Sequence, residues 1–190
     1  MIYFTSDLHF NHDKDFSWGG PRGFLSVEEN NYELMIRYNS IVTNEDDVYI
    51  LGDLMLGDYY LGLQWIEQLK GKIHIILGNH DTNNRIEYYK KLKNVVEITY
   101  ATIIKYGKFS FFLCHYPTIT ANYDDGKAVF QHLINLHGHT HAEDRFYNEN
   151  PYMYNVGVDA HNGYPVSIEQ IIEDIRQKKN ELDSTKNLSQ

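Results

Sequence analysis

Aspartates and histidines recur along this chain in short groups whose spacing suits metal binding. Asp7 and His9 stand one residue apart, Asp53 follows Gly52, and Asn79, His80 and Asp81 follow Gly78. His115 ends an apolar run, and His139 and His141 flank Thr140 just after Gly138. Imidazole and carboxylate donors without sulfur favour borderline or hard divalent ions such as Mn, Fe, Zn, Ni or Co. Asp7, His9, Asp53, Asn79, His115, His139 and His141 are more ligands than one ion takes from protein, and they suit two ions if one carboxylate bridges them. Two such ions about 3.5–4 Å apart can clamp a phosphate oxygen and generate hydroxide near neutral pH.

Each group follows a stretch that reads as a strand. Ile2 to Thr5, Val48 to Leu51 and Ile73 to Leu77 are short, rich in Ile, Val and Tyr, and stop at a polar or glycine residue, as buried strands do. Amphipathic stretches lie between them. Ser26-Val27-Glu28-Glu29 is a capping-box pattern ahead of Leu34, Tyr38, Ile41 and Val42 at helical spacing. Leu61 to Leu69, stopped by Gly71, and Thr82 to Leu92 read as two further helices. Val95 to Lys105 and Lys108 to Leu113 read as a hairpin turning near Gly107, with Leu133 to Leu136 and Met153 to Val158 as later strands. Ser167 caps a last helix with Ile168, Ile171, Ile172 and Ile175 on one face, and from about Lys178 the polar tail, 178–190, is expected to fray. This is one α/β domain over residues 1–177. In open α/β sheets, sites form beyond the carboxyl ends of strands, so the five groups can converge there.

Composition excludes several classes. The single cysteine, Cys114, excludes an internal disulfide framework and a cysteine-based zinc finger. The start, Met1 to Asp7, lacks the basic opening of a secretory signal, and no run approaches the roughly 20 apolar residues that cross a bilayer. A soluble, cytoplasmic protein without a membrane partner is expected. A net charge of −9 argues against stable binding of duplex nucleic acid, which depends on Lys and Arg contacts to phosphates. It does not exclude a phosphate-bearing substrate, because bound cations reverse the local field.

The order Asp-x-His, Gly-Asp, Gly-Asn-His-Asp, His, Gly-His-x-His resembles the signature of calcineurin-like metallophosphoesterases, over residues 1 to about 176. Asn155-Val156-Gly157-Val158-Asp159, followed by Gly163-Tyr164-Pro165-Val166-Ser167, resembles the closing strand and helix of the small bacterial and phage members. The resemblance implies a four-layer α/β/β/α sandwich of two mixed sheets flanked by helices. It implies that Asp7, His9, Asp53 and His141 hold one metal, and that Asp53, Asn79, His115 and His139 hold the second, with Asp53 bridging. A hydroxide between the metals would attack phosphorus in line, and manganese is the first metal to expect in vitro. His80 would contact the phosphate and protonate the departing oxygen, or at least stabilise charge there, a task that suits an imidazole.

Departures from the pattern narrow the substrate. Serine/threonine phosphatases of the superfamily continue the second block as Gly-Asp-x-x-Asp-Arg-Gly, whereas this chain has Leu56 and Gly57 at the Asp and Arg positions, with Asp58 two residues late. A phosphodiesterase or phosphohydrolase acting on small, nucleotide-like phosphate esters fits better than a protein phosphatase. A catalytically silent scaffold is the other alternative, although all eight positions are retained. Beyond these eight, Arg22 is either a phosphate clamp, since Arg forks suit phosphate oxygens, or a solvated loop residue. His12 either touches substrate or lies in solvent. Asp81 either caps the next helix or acts in the site. Cys114 reads as a small buried hydrophobe, His137 as structural, His74 as sheet or surface, and His132 and His161 as surface.

Overall fold

Short β-branched runs form the central strands, and the helical stretches between them carry the chain back across the sheet. A computed structural model describes residues 1–14, 18–20, 22–120 and 127–188. Pro21, beside Arg22, and residues 189–190 of the expected tail lie outside the described residues. β1 (Ile2–Thr5), β2 (Asp47–Ile50), β3 (Lys72–Ile76) and β4 (Val95–Thr99) pair in parallel, and β9 (Val166–Ser167) joins β1 antiparallel, in the order β4-β3-β2-β1-β9. β5 (Ala101–Tyr106) pairs antiparallel with β6 (Phe109–Cys114), and β7 (Leu133–His137) and β8 (Met153–Asn155) extend that sheet in parallel. Both sheets are mixed, and helices flank them.

The period-two alternation of the strands divides the core. Val48, Ile50, Ile73 and Ile75 face α1 (Val27–Ile41), α2 (Tyr59–Ile66) and α3 (Asn83–Tyr89), meeting Leu34, Tyr38, Ile66 and Tyr89. Phe4, Leu51 and Ile76 point the other way, against Phe111, Leu113, Ile134 and Leu136 of the second sheet. Ile168, Ile171, Ile172 and Ile175 of α4 (Ile168–Leu188) complete this second core. Truncating one such Ile to Ala costs about 2–5 kcal/mol. The strands are therefore anchored on both faces, and their carboxyl ends are held at a fixed separation.

Three expectations need correction. The run Val95 to Lys105 is two strands, not one hairpin arm. β4 pairs with β3 in the first sheet, the chain crosses at Tyr100, and β5 pairs with β6 in the second. The tail expected to fray from Lys178 stays helical to Leu188. Its polar residues pair one turn apart, Gln177 with Glu181 at 3.0 Å and Lys179 with Asp183 at 3.2 Å, so its polarity marks an exposed helix. His132 and His161, expected at the surface, are buried. His132 stacks on Tyr152, and His161 donates Nε2–H to the Asn155 carbonyl at 2.8 Å.

The capping signals hold with small shifts. Ser26 Oγ accepts from Glu29 N at 3.2 Å, while the Glu29 carboxylate reaches Leu25 N, one residue earlier than a capping box requires. α2 starts two residues ahead of Leu61 because Asp58 accepts from the Tyr60 and Leu61 N–H groups.

Candidate metal centre

The five groups of donors lie beyond the carboxyl ends of β1, β2, β3, β6 and β7, drawn from both sheets. Backbone bonds lock them together: Asp7 N donates to Gly52 O at 3.1 Å, His9 N to Asp53 O at 3.0 Å, and Gly138 N to His115 O at 3.0 Å. Asp7, His9, Asp53, His139 and His141 all take positive φ, between 48° and 70°. L-residues visit this region at a cost of roughly 1–2 kcal/mol each, so the surrounding structure must impose it. Close packing of the blocks requires glycine at Gly52, Gly78 and Gly138. A Cβ at Gly52, whose φ is +91°, would sit 2.6 Å from Gly78 N and His115 Nδ1, and one at Gly138 would sit 2.0 Å from Ser6 Oγ.

The tightest donor clusters, Asp7 with His9 and His141 and Asp7 with Asp53 and His115, share Asp7, and Asp53 Oδ2 also lies near ring nitrogens on both sides. In the first, His9 Nε2 lies 3.1 Å from His141 Nε2, and Asp7 Oδ1 lies 3.9 Å and 3.8 Å from these two nitrogens. Asp53 Oδ2 is 3.7 Å from His9 Nε2. In the second, His115 Nε2 lies 3.5 Å from the same Asp53 Oδ2, 3.0 Å from Asn79 Oδ1 and 3.2 Å from His139 Nδ1. Asp7 Oδ1 and His9 Nδ1 are buried without a hydrogen-bond partner. Two buried carboxylates among lone pairs that point at one another form a set of donors that fits divalent cations.

Neighbouring groups set which ring nitrogen is free. His115 Nδ1–H donates to Leu51 O at 2.7 Å, so Nε2 carries the lone pair that faces Asp53. Asp159 Oδ2 lies 2.9 Å from His141 Nδ1 and does the same for that ring. Burial, followed by the nearby charge of His141 and Arg22, holds His9 far below the usual imidazole range. Burial also lowers His139, so both rings are neutral near pH 7, as a ligand must be. His141 is raised, chiefly by its hydrogen bond to Asp159. Burial pushes the Asp7 carboxyl up against the pull of His115 and His141.

His80 sits at the mouth. Its backbone N–H donates to Asp53 Oδ1 at 2.9 Å and its carbonyl accepts from Arg85 Nη1, while its side chain is 45% exposed. Its Nε2 is 4.0 Å from Asp53 Oδ2. His12 packs beside His9, with ring centroids 5.6 Å apart. Arg22, weighed as a phosphate clamp or a solvated loop residue, is not solvated. Its N–H groups go to Asp159, to the Asp7 and Leu8 carbonyls and to Asn30 Oδ1, and its side chain is 5% exposed. Asp81 does not cap α3. It accepts from Asp53 N and Gly78 N, both at 2.8 Å, and from Tyr89 Oη, and so ties the second block to the third.

Asp159 and Arg85 escaped the sequence reading as site residues. Asp159 lies within the Asn155 to Asp159 segment, but its partners are 18 and 137 residues away, so no local spacing marks it. Arg85 carries only the generic signal of a cation on a short helix.

A chain of this fold with this centre belongs to a recognisable class. The family model of the calcineurin-like phosphoesterase superfamily domain matches residues 1–170, and the chain belongs to that superfamily of metal-dependent hydrolases of phosphoester bonds. It is similar to the uncharacterized protein MJ1445 of Methanocaldococcus jannaschii, at 33% identity over 186 residues, covering 94% of this chain and 93% of that protein. The Gene 66 protein of Mycobacterium phage D29 is 29% identical over 204 residues, covering 93% of this chain and 98% of its own. Among solved structures, the protein of unknown function AQ665 from Aquifex aeolicus superposes with a TM-score of 0.68 at 25% identity, covering 91% of this chain and 98% of that one.

Proposed function

We propose that this chain hydrolyses phosphodiester or phosphomonoester bonds of small, nucleotide-like substrates, with two divalent ions held by the two donor groups. The observation that carries the proposal is that Asp53 Oδ2 lies within 3.7 Å of His9 Nε2 in one group and 3.5 Å of His115 Nε2 in the other. Asp7, His9, Asp53 and His141 would hold the first ion, and Asp53, Asn79, His115 and His139 the second. Once bound, the ions would polarise the phosphate and lower the pKa of a water near it. Manganese is the ion to try first.

The chain's own groups then have separate tasks. The His80 peptide is pinned at both ends, by Asp53 at its N–H and by Arg85 at its carbonyl, which aims the ring while leaving it at the surface. The ring makes no hydrogen bond among the described residues and so is available to the departing oxygen, to which it would give a proton. His12, which packs beside His9 after β1, would meet the substrate.

Protein phosphatase activity is disfavoured. Asp58, the nearest substitute for the Asp that would orient His80, caps α2 through Oδ1, and Gly57 offers no cation. A silent scaffold would not need seven donors and His80 in place. No helix among the described residues is long and apolar enough to cross a membrane. The cytoplasmic, single-domain reading over residues 1–177 belongs to the same proposal.

The test is hydrolysis of bis(p-nitrophenyl) phosphate and p-nitrophenyl phosphate after chelation, then with Mn, Ni, Zn, Co or Mg restored singly. Metal-restored cleavage, faster on the diester, is expected. A protein that binds metal yet cleaves neither ester with any ion overturns the proposal in favour of the scaffold.

A further inference from the structure

The first donor group is assembled from two sheets. Asp7 and His9 follow β1, while His141 follows β7, and His141 is 44% exposed where His9 and Asp7 are buried. Such a ligand needs something behind it to fix its ring. Asp159 lies there, in the turn Val158–His161, with Oδ2 at 2.9 Å from His141 Nδ1.

Asp159 is itself held. Its side chain is 4% exposed, and Arg22 grips both of its oxygens, Nε to Oδ1 at 2.7 Å and Nη2 to Oδ2 at 3.4 Å. The remaining donors of Arg22 reach across to the first block, Nη2 to Asp7 O at 2.7 Å and Nη1 to Leu8 O at 3.3 Å, with Asn30 Oδ1 at 3.2 Å. One guanidinium thus touches the backbone that carries Asp7 and, through one carboxylate, the ring of His141. The planar fork of Arg matches this set of acceptors, which the single ammonium of Lys would not span.

We infer that Asp159 and Arg22 are positioning residues of the first metal site, joining its two halves and holding His141 with Nε2 turned to the ion. The inference rests on the two-ion reading above. A carboxylate behind a ligating imidazole fixes its tautomer and orientation, and losing such a partner typically lowers metal affinity by about 10–100-fold. The second donor group has an anchor of its own, the Leu51 carbonyl behind His115, and its Asp53, Asn79, His115 and His139 make no hydrogen bond to the pair among the described residues.

The test is Mn2+ titration of metal-free protein by calorimetry, with equilibrium dialysis for stoichiometry, on wild type, Asp159→Asn and Arg22→Lys. Wild type should take two ions. Asp159→Asn should keep one site at its wild-type affinity and weaken the other by about 10–100-fold, and Arg22→Lys should weaken the same site. The visible spectrum of the Co2+-loaded protein should lose the contribution of one ion and keep the other.

Two unchanged sites in Asp159→Asn overturn the inference while leaving the two-ion reading intact. Equal weakening of both sites also overturns it, since that is a general structural effect. Wild type that takes up one ion or none defeats the two-ion reading itself. Should Asp159→Asn fail to fold because Arg22 is left buried without its partner, Arg22→Met with Asp159→Asn removes both charges together, and the same one-site loss is expected.

Discussion

Seven of the eight singled-out side chains hold a donor atom at a fixed place, and the eighth is kept apart from them. Asp53 works at three points: Oδ2 lies between the two donor groups, Oδ1 receives the His80 N–H, and its own N–H is held by Asp81. Asp53→Ala should therefore disturb both metal sites at once, and metal stoichiometry measured on the purified variant checks this. An unchanged content of two ions removes the bridging role. His80→Ala should behave differently, keeping both ions while losing about 10²–10⁴-fold in turnover. The loss should be larger for alkyl phosphate esters than for p-nitrophenyl esters, because a poor leaving group needs the proton more. Equal losses on the two kinds of ester would remove the general-acid role. At this scale the clustering of the candidate ligands was legible in the sequence, because each follows a strand-like run and most stand in short blocks with Gly, Asp, Asn or His. Asp159 and Arg85 were not, because tertiary contacts alone bring them to the site.

The elements matter because they set where those donors point. β1, β2, β3, β6 and β7 were readable from their runs of Ile, Val, Leu and Phe, and α1 from its cap and spacing. The break at Tyr100 was not. Val95 to Lys105 is a continuous β-prone stretch, and only pairing with β3 on one side and β6 on the other divides it. The tail was misread for a related reason: apolar periodicity fades there, and helix is kept by side-chain pairs that polarity alone does not show. Glycines at block junctions belong to this scale as well. Gly138→Ala would drive a methyl into Ser6 Oγ and Asp7 Oδ2, at 2.0 and 2.3 Å, so the second sheet must move away from the first at the site. We expect a soluble protein with near-native far-UV circular dichroism but weaker binding of the first ion. Wild-type metal affinity in that variant would show that the two sheets are not held in register by this contact.

Across the whole molecule, stability should carry the signature of a buried neutral histidine remote from the donors. Burial lowers His161 to about 4, against an ordinary value of 6.5. The unfolded chain therefore takes up a proton below pH 6.5 that the folded chain refuses until about pH 4. The His161 share of the stability falls as pH drops through that window and levels off below it, while His9, held lower still, adds to the loss in metal-free protein. The His161 shift corresponds to at most about 3 kcal/mol. Urea denaturation of metal-free protein between pH 7 and 4 should show this slope, and His161→Gln should make it shallower while the other lowered histidines keep the remainder. A slope identical in the two proteins would place the proton uptake elsewhere.

The left-handed backbone at Asp7, His9, Asp53, His139 and His141 has an evolutionary reading. Glycine adopts that conformation without the steric penalty of a side chain, so at five positions the simplest route to a more relaxed chain is to discard the donor. The summed penalty is about 5 kcal/mol or more, comparable to the net stability of a small domain. A lineage released from hydrolysis would gain by drifting to glycine at these points. This chain carries two aspartates and three histidines at those strained points, where glycine would be the relaxed choice.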